Sequence, residues 1–239
     1  MNIFDDLIAK ATSVLPEGGR SMTNFPDISK QIGRKGELIL GRELAYELGG
    51  GDNLCSVVNL YTEDEAIVPT DEVVVYGKDI FELKEDCSFA RITIVRTKGI
   101  DEHGEQAAYN ILENIGLKRY DVFPKGFMVR TSVLSNREQA RVSKEAIKNK
   151  LSFFHVGKMY IDEFKKNRYV KAVKIIFITL PDANYQLLDR IGTLSTDLFR
   201  ALNHAISDLK MDCKHCEWKV VCDEVEGMKE LHQKMLKGK

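Results

Sequence analysis

The sequence predicts an α/β protein, a mixed β-sheet with helices packed on it. Runs rich in β-branched residues alternate along the chain with stretches whose apolar residues recur at helical spacing, which excludes a pure bundle or a pure sandwich. The C-terminal third, from Asp182, is helical in its spacing. It then runs into Cys213, Cys216 and Cys222, three thiols within ten residues, so the predicted fold ends in a cysteine metal site.

The elements follow in order. Asn2 to Leu15 places Ile3, Phe4, Leu7, Ile8, Ala11 and Val14 on one helical face and stops at Pro16-Glu-Gly-Gly19. Arg20 to Arg42 is polar and dotted with glycine, which predicts loop. Leu44 to Leu48 and Cys55 to Tyr61 flank Gly49-Gly-Gly51-Asp-Asn53 and are expected to pair as a hairpin across that turn. Val73 to Tyr76 and Phe89 to Arg96 read as strands, and His103 to Ile115 as a helix capped by Gly116. Phe127 to Leu134 reads as strand, Ser143 to Ile147 and Gly157 to Lys166 as helices, and Lys171 to Leu180, stopped by Pro181, as the strongest strand. Two further helices are expected at Asp182 to Ile191 and Ser195 to Leu209. The domain division read from this pattern is a lead over 1–36, an α/β module over 37–210 and a cysteine-containing segment over 211–239.

Composition sets limits on function. Of 239 residues, 44% are hydrophobic and 30% charged, which describes a folded globular chain. With 35 basic and 36 acidic residues the net charge is −1, so nucleic acid is not an expected partner. No apolar run reaches the roughly 20 residues of a membrane span, and the acids in Met1-Asn-Ile-Phe-Asp-Asp6 do not suit a signal peptide. Five cysteines, an odd number, fit a reducing compartment, and a cytoplasmic location is expected.

Two thiolates in Cys213-Lys-His-Cys216 converge on one ion because the two-residue bridge turns the chain back on itself, and Cys222 adds a third. His215 or His232 could complete the set, as could water or a partner. The spacing leaves iron–sulfur and zinc both open. Cys55 reads as strand packing and Cys87 as a loop cysteine. The Gly49-Gly-Gly51 tract lacks the Lys-Ser/Thr of a phosphate-binding loop, so a turn is the expected role. Arg130, Arg137, Arg141, Lys144 and Lys148 form a basic stretch suited to phosphates or an acidic partner. It reads equally as a solvated helix face interrupted by Glu138 and Glu145. No catalytic constellation is recognisable.

Several short segments, in order, resemble the middle module of the acetyl-CoA synthase subunit of carbon monoxide dehydrogenase/acetyl-CoA synthase complexes. They are Glu47-Leu-Gly-Gly-Gly51, Val73-Val-Val-Tyr-Gly-Lys-Asp-Ile80, Arg141-Val-Ser-Lys-Glu-Ala-Ile147, His155-Val-Gly-Lys-Met159, Glu163-Phe-Lys-Lys166 and the strand from Val173 to Thr179, followed by the cysteines. The resemblance covers Glu37 to Cys222. It implies a module of anaerobic carbon monoxide/acetyl-CoA metabolism with an iron–sulfur cluster at Cys213, Cys216 and Cys222, His232 standing near the family's fourth cysteine. It also implies contact with a corrinoid protein, a ferredoxin or a carbon monoxide dehydrogenase subunit. Arg130, Arg137, Arg141, Lys144 and Met128 are its implied coenzyme A or partner contacts, Met128 standing where the family has a tryptophan. The family's distal nickel needs a Cys-x-Cys sequence, and this chain has none, so nickel is not expected and the module alone is not expected to synthesise acetyl-CoA. The competing expectations are an electron-transfer role for an open cluster site, corrinoid reduction included, and a zinc-stapled structural module.

Overall fold

The computed structural model describes residues 3–25, 38–132, 137–207, 217 and 219–225, and it is α/β. The strands are β1 (Arg20–Met22), β2 (Ala45–Leu48), β3 (Cys55–Thr62), β4 (Glu72–Tyr76), β5 (Phe89–Thr97), β6 (Phe127–Ser132), β7 (Arg137–Ser143) and β8 (Val170–Ile178). The helices are α1 (Asp5–Ser13), α2 (Glu105–Leu117), α3 (Lys144–Lys148), α4 (Phe153–Phe164), α5 (Tyr185–Ser207) and α6 (Lys219–Glu224). No helix of the described residues is long and apolar enough to cross a membrane.

A five-stranded mixed sheet runs in the order β1-β4-β8-β5-β3, and a three-stranded antiparallel sheet in the order β2-β7-β6. The central strands β8 and β5 are β-branched and almost wholly buried, as strands covered on both faces must be. Phe153, the first residue of α4, joins the layers. Its ring stacks on Phe177 of β8 at 4.6 Å and on Phe89 of β5 at 5.9 Å, and meets Phe127 of β6 edge-on at 6.3 Å. Four residues on, Gly157 faces Val73 of β4 so closely that a Cβ there would lie 2.5 Å from the valine Cγ2. The helix can approach the sheet only without a side chain at that point. Phe4, Leu7, Ile8 and Ala11 of α1 belong to the same apolar core as the sheet.

The expected hairpin between the strands around Gly49-Gly-Gly51 does not form. β2 pairs with β7 and β3 with β5, so the tract carries the chain from one sheet to the other. Gly49 and Gly51 have φ of 72° and 64°, and a Cβ on Gly49 would collide with Cys55. The Cys87 loop secures the crossing, its carbonyl accepting from Gly49 N at 2.7 Å and its N–H donating to the Glu47 carbonyl at 3.0 Å. Cys87 is therefore a paired backbone position, and burial pushes its thiol up to about 11.

Three further expectations change. The polar lead contributes β1, which pairs antiparallel with β4 at the sheet edge. The two expected C-terminal helices are one helix, α5, running through Gly192. The basic stretch is not a helix face at its start, because Arg137–Ser143 is strand, with Glu138, Ala140 and Val142 buried on one side.

The N–H groups of Lys150 and Leu151 donate to the Ile147 and Ala146 carbonyls, both at 3.0 Å, which closes α3 with a Schellman motif. That motif needs a left-handed residue, and here it is Lys150 at φ 61°. For a residue with a Cβ this conformation costs on the order of 1–2 kcal/mol.

Candidate functional site

Most of the residues expected to touch coenzyme A or a partner come together on the outer face of the small sheet. Register puts Met128 opposite Arg141 and Arg130 opposite Gln139, and alternation turns Arg137, Gln139 and Arg141 to the same side. Glu47 of β2, opposite Arg141, is 5% exposed. It takes a 2.7 Å bond from Arg130 Nη2 and a second ion pair from Arg141 Nε. Arg141 Nη1 also donates to the carbonyls of Ile39 at 2.8 Å and Leu40 at 3.1 Å. A buried carboxylate between two guanidinium groups is well compensated, so Arg141 is anchored as part of the framework. One carboxylate for two cations, with the exposed Arg137 alongside, leaves the face positive.

Lys144 does not join this group. It opens α3 with its ammonium 5.1 Å from the centroid of Tyr46, which alternation places on the opposite side of β2 from Glu47. Cys55, at the start of β3, hydrogen-bonds Gln139 and lies near Arg137. Burial raises its thiol pKa more than Arg137 lowers it, so it is not an activated nucleophile.

Of the expected metal ligands, Cys213, Cys216 and His232 lie outside the described residues. Cys222 is on α6. That helix docks through Val221 and Val225, 6% and 4% exposed and one turn apart, and Glu224 lies 3.5 Å from Arg190 of α5. Among the described residues, no three His, Cys, Asp or Glu side chains are grouped so as to hold a metal ion.

Sequence reasoning missed a cleft of about 330 Å³ between α2, α5 and β3. It forms because β3 is an edge strand whose alternate residues Val57, Asn59 and Tyr61 face inward, while α5 covers the edge. The Ser195 hydroxyl donates to the Asn59 carbonyl at 2.5 Å, fixing helix to strand. The rings of Tyr109 and Tyr61 each meet Phe199, at 6.3 and 5.2 Å. Gly116, expected as a cap, lies inside α2, and a Cβ there would be 2.8 Å from the Tyr61 hydroxyl. Burial pushes that phenol up to about 12 against the opposing charge of Arg119, so it remains a proton donor. Arg119 donates to the Gly116 carbonyl at 3.1 Å and the Tyr120 hydroxyl at 2.8 Å. Asn59 Oδ1 is buried without a hydrogen-bond partner among the described residues. Such an arrangement suits a small ligand with a flat apolar face and a polar edge, held by Tyr61 as donor and Asn59 as acceptor. The polar Asn59 between the inward-facing Val57 and Tyr61 was the available signal.

No protein-family model matches the sequence, and a comparison with curated proteins finds no match.

Proposed function

We propose that the protein is an acetyl-CoA synthase-like module of anaerobic one-carbon metabolism. It binds protein partners and holds an iron–sulfur cluster through Cys213, Cys216 and Cys222, with His232 as the candidate fourth ligand. It does not synthesise acetyl-CoA on its own. The partners that suit it are a ferredoxin, a corrinoid protein or a carbon monoxide dehydrogenase subunit. The cluster would supply one-electron transfer, and the positive outer face of the small sheet would receive an acidic partner or the phosphates of coenzyme A.

What supports this reading is that the resembling segments hold one another. Glu47 of the first binds Arg141 of the third. Val73 of the second packs against Gly157 of the fourth. Asp79 of the second takes the N–H of Phe153 at 2.6 Å, two residues before the fourth begins. Segments far apart in sequence but in mutual contact are what a shared framework would keep in common, so the likeness bears on the framework first. The helix that carries Cys222, α6, docks through Val221 and Val225.

Three thiolates also suit zinc, and the zinc-stapled module is the second reading. Anaerobic purification separates the two. The proposal expects brown protein containing iron and acid-labile sulfide in near-equal amounts. Colourless protein with stoichiometric zinc and no sulfide would overturn it.

A further inference from the structure

Apart from the cleft and the cysteine segment, a second cavity of about 270 Å³ opens beside the α3–α4 connection. Met22, Phe25, Phe81, Phe154, Lys150 and His155 line it. Ser152 also lines it, but its hydroxyl is committed to Asp79 at 2.5 Å. Phe81 is 37% exposed, so its ring forms an open wall and not a sealed core.

Two side chains here carry a polar group with no hydrogen-bonding or charged partner among the described residues. The first is Lys150. Its position in the Schellman motif favours glycine, yet the chain keeps a side chain there at φ 61°. The ammonium hovers 5.7 Å from the Phe81 centroid, near the outer limit for attraction by a ring, and no carboxylate among the described residues pairs with it. That one long contact does not account for keeping a side chain at a left-handed position. The second is His155, whose Nδ1 is buried with no hydrogen-bond partner among the described residues. Burial lowers its pKa against the pull of Asp79, which leaves a neutral imidazole with unspent hydrogen-bonding capacity.

A cation and an imidazole nitrogen without partners among the described residues thus line one small cavity with aromatic side chains. We propose that this cavity binds a small organic carboxylate with a ring-sized apolar body. The carboxylate pairs with Lys150 and hydrogen-bonds to His155, and the body lies against Phe25, Phe81 and Phe154. A single ammonium beside a neutral ring suits one negative charge, which disfavours a phosphate carrying two.

Ligand-observed NMR and melting curves on the full chain test this with 3-phenylpropionate, its uncharged amide and acetate as probes. The expected result is saturable binding of 3-phenylpropionate with Kd on the order of 1 mM, as for a ligand of about ten heavy atoms at ordinary efficiency. Binding of the amide should be about tenfold weaker or more, and acetate, lacking the body, should not compete. Lys150→Gly should lose binding by a similar factor while melting at the same or a higher temperature, because glycine relieves the left-handed strain. Lys150→Met, which keeps the stem and the strain, should lose binding without that gain. Equal binding of acid and amide, unchanged binding in Lys150→Gly, or no saturable binding of 3-phenylpropionate would overturn the proposal. A lower melting temperature for Lys150→Gly would assign the lysine to stability and would also overturn it.

Discussion

Replacing Glu138 by Ala is expected to destabilise the protein by about 3–5 kcal/mol, because it leaves a charged guanidinium buried without its partner. Arg91 lies on β5 in the large sheet and Glu138 on β7 in the small one, and both side chains are almost fully buried. The pairing is bidentate, Arg91 Nε to one carboxylate oxygen at 2.6 Å and Nη2 to the other at 2.5 Å. Nη1 reaches the Thr93 hydroxyl, and the guanidinium lies 4.6 Å over the ring of Tyr160. Burial opposes the charge on Arg91, but the Glu138 carboxylate outweighs it and holds the group above its usual range. The pair therefore fixes the small sheet on the large one at a defined position. An Arg91→Met/Glu138→Leu double variant should recover most of the loss, since apolar groups of similar volume need no counter-charge. Urea unfolding of both variants is the check. A Glu138→Ala change of less than about 1 kcal/mol would mean that water reaches the guanidinium.

The second large effect is expected at Asp79, the acid in the Gly77-Lys-Asp-Ile80 segment. Its carboxylate is fully buried and accepts from Ile80 N at 2.6 Å, Phe153 N at 2.6 Å and Ser152 Oγ at 2.5 Å. It thus caps the short turn Ile80–Glu82 and also the start of α4, where Phe153 joins the layers. Asp79→Ala strands three buried donors, each worth about 1–3 kcal/mol, and a total loss of about 3–4 kcal/mol is expected because such terms do not add fully. Asp79→Asn should lose roughly half as much, as its amide oxygen still accepts and its NH₂ can donate to a reoriented Ser152 hydroxyl. Thermal melting of the two variants distinguishes this framework role from a catalytic one. A near-neutral Asp79→Ala would contradict the reading of this segment as scaffold.

These sites show which features were legible in the sequence. Val73–Tyr76, Phe89–Arg96 and Lys171–Leu180 announced themselves because both faces of their strands are buried, and local composition reflects that directly. Pairing did not, since nothing local to Leu44–Leu48 or Cys55–Tyr61 says that they belong to different sheets. The sequence predicts a break between Ile191 and Ser195, where Gly192 lies. Yet the buried face formed by Leu188, Ile191, Leu198, Ala201 and Leu202 outweighs a glycine cost of about 1 kcal/mol. The period-2 alternation of Glu138, Ala140 and Val142 was visible but was masked by the polar Gln139 and Arg141 between them. Tyr109 is distant in sequence from Asn59 and Tyr61, and only the fold brings it to their cleft. The cysteine spacing, by contrast, is a purely local signal.

Under the proposed function the cysteine segment is a metal-holding appendage of a framework that folds without it. The most direct measurement is made on Cys213→Ser/Cys216→Ser protein purified anaerobically beside the unchanged chain, comparing iron, sulfide and zinc content with the global melting transition. Thiolate sites can contribute on the order of 10 kcal/mol, but only to what folds around them. The account predicts that the double variant loses its iron and sulfide, becomes protease-sensitive at the C-terminus and keeps a nearly unchanged main transition. A double variant that fails to fold, or one that retains the metal content of the unchanged chain, would contradict it.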